Sequence, residues 1–247
     1  MRTTAGWYRT ESLPPPIDLP FEALAEVVTI RRGELGLLAA RPGEGKSTFA
    51  LNLARYLPSL YFAQEDPLQA WSLMAGLMLG EKPEEVRDWA QEDAIGLDEE
   101  LASRGCQDVA ILEGRRTINE IRLGIQAYEE LFGYPPDVVV IDNLKDLTVP
   151  GHSYSTPDFY SITLPALKVI ALELQCFILV LHHAKRGQDE PSLEGMIFGG
   201  DREASHVWWT EKVGDDRMRV TILKQREGPA PRSRLLEWFR DEGRIVG

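Results

Sequence analysis

Cysteine is nearly absent: 247 residues contain two, Cys106 and Cys176, too few and too scattered for a disulfide framework or a zinc site. Both are expected as small buried hydrophobes in a reducing compartment. Long apolar runs are missing too. None approaches the roughly 18 residues a spanning helix needs, and the opening MRTTAGWYRTES shows no apolar stretch of the kind a secretory leader carries. A soluble, cytoplasmic protein without membrane contact is expected. Basic charge is also in deficit, with 27 Lys and Arg against 39 Asp and Glu for a net charge of −12. Coating nucleic acid over a broad face would call for the opposite balance, because phosphate neutralisation supplies most of that affinity. The deficit is uneven. Residues 81–113 hold eleven acids and three bases, whereas residues 212–247 hold nine bases and six acids. A nucleic-acid contact must therefore be local, a few loops rather than a face.

What is present reads as an ordinary globular chain. The 43% hydrophobic content excludes wholesale disorder, and the length suits one domain with a short appendage. Pro14, Pro15, Pro16 and Pro20 mark residues 1–20 as an extended, Pro-rich arm. Residues 21–247 then form a single domain. GELGLLAA has the length of a buried strand, RPGEGKS is a Gly/Pro loop, and STFALNLARYL has helical spacing. LYFA predicts a short strand, and residues 67–104 a mostly helical stretch. VAIL, a helix near 117–132, DVVVID, a helix near 158–174 and CFILVL continue the alternation. Buried runs alternating with helices imply an α/β fold, with a mostly parallel central sheet covered on both faces. HVWWTEK, RMRVTILKQ, SRLLEWF and GRIVG predict short antiparallel strands, a β-rich C-terminal edge.

The loop Ala40-Arg41-Pro42-Gly43-Glu44-Gly45-Lys46-Ser47-Thr48 sits between a predicted strand and a predicted helix, the context a phosphate-binding loop requires. Gly43 and Gly45 let backbone N–H groups turn onto an anion, helped by the positive end of the helix. Lys46 is placed to reach the β- and γ-phosphates of a nucleotide, and the Ser47 hydroxyl to ligate Mg²⁺. Ala40 occupies the position of the first glycine in the G-x-x-x-x-G-K-[ST] pattern. Asp142 closes VVVID, at the strand end where α/β sheets bind ligands, and can hold the metal through water. Glu65, just past LYFA, should emerge on the same edge as a general base. Its neighbour Asp66, before Pro67, has the simpler role of a helix cap. His182 and His183 end another strand. Adjacent strand residues point to opposite faces, so one histidine contacting a γ-phosphate is expected rather than a metal pair.

These residues together resemble the DnaB-type replicative helicases, from about Gly33 to Gly228. AARPGEGKSTFALNLAR is similar to their phosphate loop, where the first glycine is also commonly alanine. YFAQED corresponds to their strand-end glutamate, VVVIDNL to their Asp-bearing motif, LHHAKR to their Leu-Ser-Gln-Leu-Asn-Arg motif and LKQREGP to their late Lys-x-Arg segment. The His-His-x-Lys version also resembles the small plasmid RepA-type hexameric helicases. The resemblance implies a RecA-like core that binds ATP and Mg²⁺. Lys46 and Ser47 would hold phosphates and metal, Glu65 would polarise water, Asp142 would hold the metal, and His183, where the family commonly has glutamine, would sense the γ-phosphate. Lys224 and Arg226 would act in trans, in the nucleotide site of the next subunit, which implies a homo-oligomer closed into a hexameric ring. Single-stranded DNA is the implied partner, alongside replication or phage proteins. Loops 145–158 and 185–200 are the candidate pore loops, with Lys145, Lys185 and Arg186 as phosphate contacts. Two other functions share the fold: a RecA-like recombination or annealing ATPase, and a nucleotide-binding regulator or loader that docks through the acidic stretch 81–113.

Overall fold

A computed structural model describes residues 14–104, 108–184, 190–193 and 202–247. In it the apolar runs become strands and the amphipathic ones helices. Strand β1 (Pro16–Ile17) pairs antiparallel with β2 (Ile30–Arg31) around a short helix α1 (Glu22–Ala25). Ile17 is buried and joins the core cluster beneath the Lys46–Ala54 helix. There follow β3 (Leu35–Ala40), α2 (Lys46–Ala54), β4 (Ser59–Ala63), α3 (Pro67–Leu79), α4 (Pro83–Glu92), α5 (Ala94–Ser103) and β5 (Val109–Glu113). Then come α6 (Ile118–Phe132), β6 (Val138–Asp142), a 3₁₀ turn (Leu144–Asp146), α7 (Pro157–Leu174) and β7 (Phe177–His183). Strands β8 (His206–Val213), β9 (Arg217–Lys224), β10 (Arg232–Phe239) and β11 (Arg244–Val246) complete the fold.

Among the described residues nine strands form one sheet in the order β11-β10-β9-β8-β3-β7-β6-β4-β5. The five from β3 to β7 run parallel, and β9, β10 and β11 are added antiparallel. Strand β8 departs from the expected all-antiparallel tail. It pairs parallel with β3 and antiparallel with β9, so it lies on the far side of β3 from β7. The mostly helical stretch expected over 67–104 is formed by three helices, α3, α4 and α5. Asp66 starts α3 by accepting from the Gln69 amide at 3.0 Å, with Pro67 in the first turn. Cys176 is buried, and burial pushes its thiol up to about 12; Cys106 lies outside the described residues. Among the described residues no helix is long and apolar enough to cross a membrane.

The period of two along each strand decides what meets at the sheet's edge. On β6, Val138 and Val140 pack in the cluster beneath α2 and α3, while Val139 and Ile141 join α6 and α7 on the other face. Asp142 continues the first series. The same parity puts Tyr61 and Ala63 of β4 and Leu179 and Leu181 of β7 on the α2 face, and His183 extends that line. Leu38 shares this face and Leu37 and Ala39 the other. Register then aligns the ends: Ala63 lies opposite Asp142, and Ala40 opposite His183.

Candidate active site

The turn from β3 into α2 requires glycine. Gly43 and Gly45 have φ of 79° and 80°, the left-handed region that a Cβ disfavours. At Gly45 space forbids one as well, because a Cβ would lie 2.5 Å from the Met218 methyl and 2.7 Å from the Trp238 ring. The loop thus packs directly on β9 and β10. Glu44 ties it down further. Its carboxylate accepts from the Lys212 amide at 2.6 Å and pairs with Arg41 at 3.2 Å, so this side chain serves the loop's framework.

Over the loop opens a cavity of about 430 Å³. Its walls include Arg41, Pro42, Gly43, Gly45, Lys46, Ser47 and Thr48 from the loop and helix. Glu65, Asp142 and His183 enter from three other strand ends. The buried Lys46 ammonium lies 3.5 Å from Asp142 Oδ1. Asp142 Oδ2 accepts a 2.7 Å hydrogen bond from the Tyr61 hydroxyl. Burial, then the charge and hydrogen bond of Asp142, hold the Tyr61 phenol well above its ordinary range, so it donates at any working pH. Oδ1, by contrast, is buried with no hydrogen-bond donor among the described residues. A buried carboxylate oxygen left open in one cavity with a lysine and the Ser47 hydroxyl would suit a divalent cation. The donor set fits Mg²⁺.

A polar relay links the other two strand ends. Asn143, whose peptide with Asp142 is cis, donates through Nδ2 to Glu65 Oε2 at 2.7 Å and lies 3.3 Å from His183 Nε2. Its Oδ1 accepts from the Lys145 amide at 3.0 Å, and the Lys145 ammonium donates to Glu65 Oε1 at 2.8 Å. That hydrogen bond outweighs partial burial and keeps Glu65 below its usual range. Burial, then the Lys46 and Lys145 charges, push His183 down, which keeps its imidazole neutral at neutral pH. His182 goes to the opposite face, 6.2 Å from the Tyr160 ring.

Lys224 and Arg226 do not join this constellation. Lys224 pairs with Val207 near the start of β8, and Arg226, 60% exposed, reaches Glu34 Oε1 at 3.6 Å before β3 begins. Both therefore sit at the opposite end of the sheet from the phosphate loop. Glu34 is buried and also contacts His206 Nε2 and the Arg31 amide, each at 2.9 Å. Lys145 is found on Glu65, and Lys185 and Arg186 lie outside the described residues. Sequence reasoning missed Tyr61, Asn143, Lys212 and Trp238. Asn143 follows Asp142 directly and carried a local signal; Tyr61 looks like any strand aromatic, and Lys212 and Trp238 arrive from distant strands.

A family model described as an AAA domain (AAA_25) matches residues 20–189. The Gene 65 protein of Mycobacterium phage L5 is 26% identical over 218 residues, 81% of this chain and 79% of that protein. The Gene 65 protein of Mycobacterium phage D29 is 26% identical over 209 residues, 78% and 88% of the two chains. Among solved structures, one described as an ATPase domain matches with a TM-score of 0.74 at 20% identity, over 88% of this chain and 85% of that one. A DnaB-like replicative helicase, solved for its interactions with primase, matches with a TM-score of 0.78 at 20% identity. That match covers 96% of this chain but 63% of the helicase, slightly less than two thirds. The fold is that of RecA-like, DnaB-type helicase ATPase domains.

Proposed function

The chain belongs to the AAA-domain family, and on that premise we propose that it is a ring-forming ATPase that couples ATP hydrolysis at subunit interfaces to movement along single-stranded DNA, as a helicase of replication. One observation carries the reading. Among the described residues Arg41 is the one arginine lining the cavity, and it already contacts Glu44 of its own loop. Lys224 and Arg226 stand at the far end of the sheet. Among the described residues the site has a base, a lysine and a metal carboxylate but no arginine aimed at the γ-phosphate, which supports reading it as half of a shared site. Head-to-tail stacking of subunits supplies the other half and closes into a ring.

In this mechanism the loop amides and Lys46 hold the β- and γ-phosphates. Ser47 and Asp142 would hold Mg²⁺, which would supply positive charge against the phosphate oxygens. Glu65 takes a proton from water as its oxygen attacks the γ-phosphorus and the bond to the bridging oxygen breaks. His183, through Asn143, is placed to register the loss of that phosphate. Arg226 of the neighbouring subunit, with Lys224, stabilises the charge that develops, an effect worth about 10³–10⁵ in rate for a finger of this kind.

ATP turnover by wild type and Arg226→Ala, with and without single-stranded DNA, beside strand unwinding and sizing, tests the reading. Expected are DNA-stimulated turnover and unwinding by a wild-type ring, and an Arg226→Ala ring that assembles and binds ATP without turning it over. Wild-type turnover by Arg226→Ala overturns the shared site. DNA-bound filaments in micrographs favour a recombination ATPase, and hydrolysis indifferent to DNA a regulator.

A further inference from the structure

Glu65 is the base in this reading, yet both of its oxygens are engaged, Oε1 by Lys145 at 2.8 Å and Oε2 by Asn143 at 2.7 Å. A general base gains from higher basicity, and the Lys145 contact works against it. The site as it stands is restrained.

A second cavity of about 430 Å³ adjoins it, lined by Gln64, Glu65, Arg115, Lys145, Asp146 and Tyr154. Glu65 lines both cavities, whereas Lys145 lines only the second. Gln64 is 8% exposed, and neither its amide nitrogen nor its oxygen has a hydrogen-bond partner among the described residues. Arg115, mostly exposed, lies 3.3 Å from Asp146 Oδ1. The Thr148 amide donates to the Arg116 carbonyl at 2.8 Å, which joins the Arg115 turn to the segment that follows Lys145. An ammonium and a guanidinium, now paired with the Glu65 and Asp146 carboxylates of the same lining, and an unpartnered buried amide can together be offered to the oxygens of a phosphodiester. Tyr154 offers a ring on which a base can stack. The Lys145–Glu65 pair is partly exposed on both sides, so it is weak and exchangeable.

We propose that Lys145 is a latch on Glu65, and that a backbone phosphate of single-stranded DNA entering the second cavity draws Lys145 and Arg115 to itself and frees Glu65 to activate water. The proposal rests on the DNA-motor reading for its key, but not for the latch. Lys145 is a positioning residue, acting on the reaction through Glu65. The same contact that binds the strand would thereby switch on hydrolysis, which ties fuel consumption to an occupied track.

The test is steady-state ATP turnover by the full chain as wild type, Lys145→Ala, Lys145→Gln and Lys145→Arg, with and without oligothymidylate, across pH. Without DNA, the Ala and Gln variants should turn over roughly three- to tenfold faster than wild type, and DNA should add little. Their acid limb should move to higher pH, because Glu65 has lost the cation that favours its charged form. Lys145→Arg should return the DNA-free rate to the wild-type level. DNA-free rates of the Ala and Gln variants at or below wild type, with melting temperatures unchanged, overturn the latch even if DNA binding weakens. Wild-type turnover indifferent to oligothymidylate overturns DNA as the key and the motor reading with it. The DNA-free rates of the three variants then judge the latch on their own.

Discussion

Replacing Tyr61 with phenylalanine would remove one oxygen and leave the ring in the core. In the wild type that oxygen donates at 2.7 Å to Asp142, a buried carboxylate whose other oxygen has no donor among the described residues. Hydrogen bonds to charged groups contribute about 1.5–3 kcal/mol. The Lys46 ammonium remains 3.5 Å away and offsets part of the loss. For a domain of this length each kcal/mol moves the melting temperature by about 2–4 °C, so a fall of roughly 3–12 °C is expected, toward the lower end. The functional cost should be larger. Removing a partner that orients a metal-holding carboxylate typically weakens metal affinity about 10–100-fold. A magnesium titration of fluorescent ATP-analogue binding should therefore shift its midpoint at least about tenfold for Tyr61→Phe. The shift should be the same at any pH between about 6 and 9, because the phenol never ionises there. A melting temperature within a degree of wild type and superimposable magnesium titrations would refute the argument, showing Asp142 to be positioned by something else.

Gly45→Ala should be harsher, since the new methyl meets Met218 and Trp238 at a φ of 80°. A stability loss of about 2–4 kcal/mol is expected, with loss of ATP-analogue binding in a fluorescence titration, and wild-type binding would contradict the packing described. The pH profile of turnover follows from the two relay groups. Glu65 is held below its ordinary value and stays ionised as pH falls, until well into the acid range. His183 is pushed below its ordinary value, so it protonates only under more acidic conditions than a free histidine. Turnover should therefore be flat above about pH 6.5 and fall only below it; a clear inflection near pH 7.5 would sink the assignment. His183→Gln, which keeps an uncharged hydrogen-bonding group of similar reach, should retain most of the rate, whereas His183→Ala should lose most of it.

The phosphate loop was legible because its determinants are consecutive: two glycines, a lysine and a serine between a strand and a helix. Asp142 was legible because an acid that closes a run of buried residues must sit where the strand meets solvent, at the mouth of the sheet. Strand parity even foretold that His182 and His183 would part company. Contacts between residues far apart in the chain were not legible. The Lys145 to Glu65 contact joins positions 80 residues apart, and it depends on the 3₁₀ turn that follows β6. The wall of Lys212 and Trp238 depends on strand order, as does the parallel pairing of β8. No local pattern encodes which neighbour a strand will choose.

The helix that carries Lys46 is also fastened to the far end of the chain. Asn52, buried in α2, donates to the Gly243 carbonyl at 2.7 Å and accepts from the Ile245 amide at 2.9 Å. Strand β3 is itself flanked by β7 and β8, both made much later. During synthesis the phosphate loop emerges early, yet the two bonds that fasten Asn52 of its helix to the last strand form only once residue 245 has left the ribosome. A nascent or prematurely stopped chain therefore holds the nucleotide motif without a finished nucleotide site.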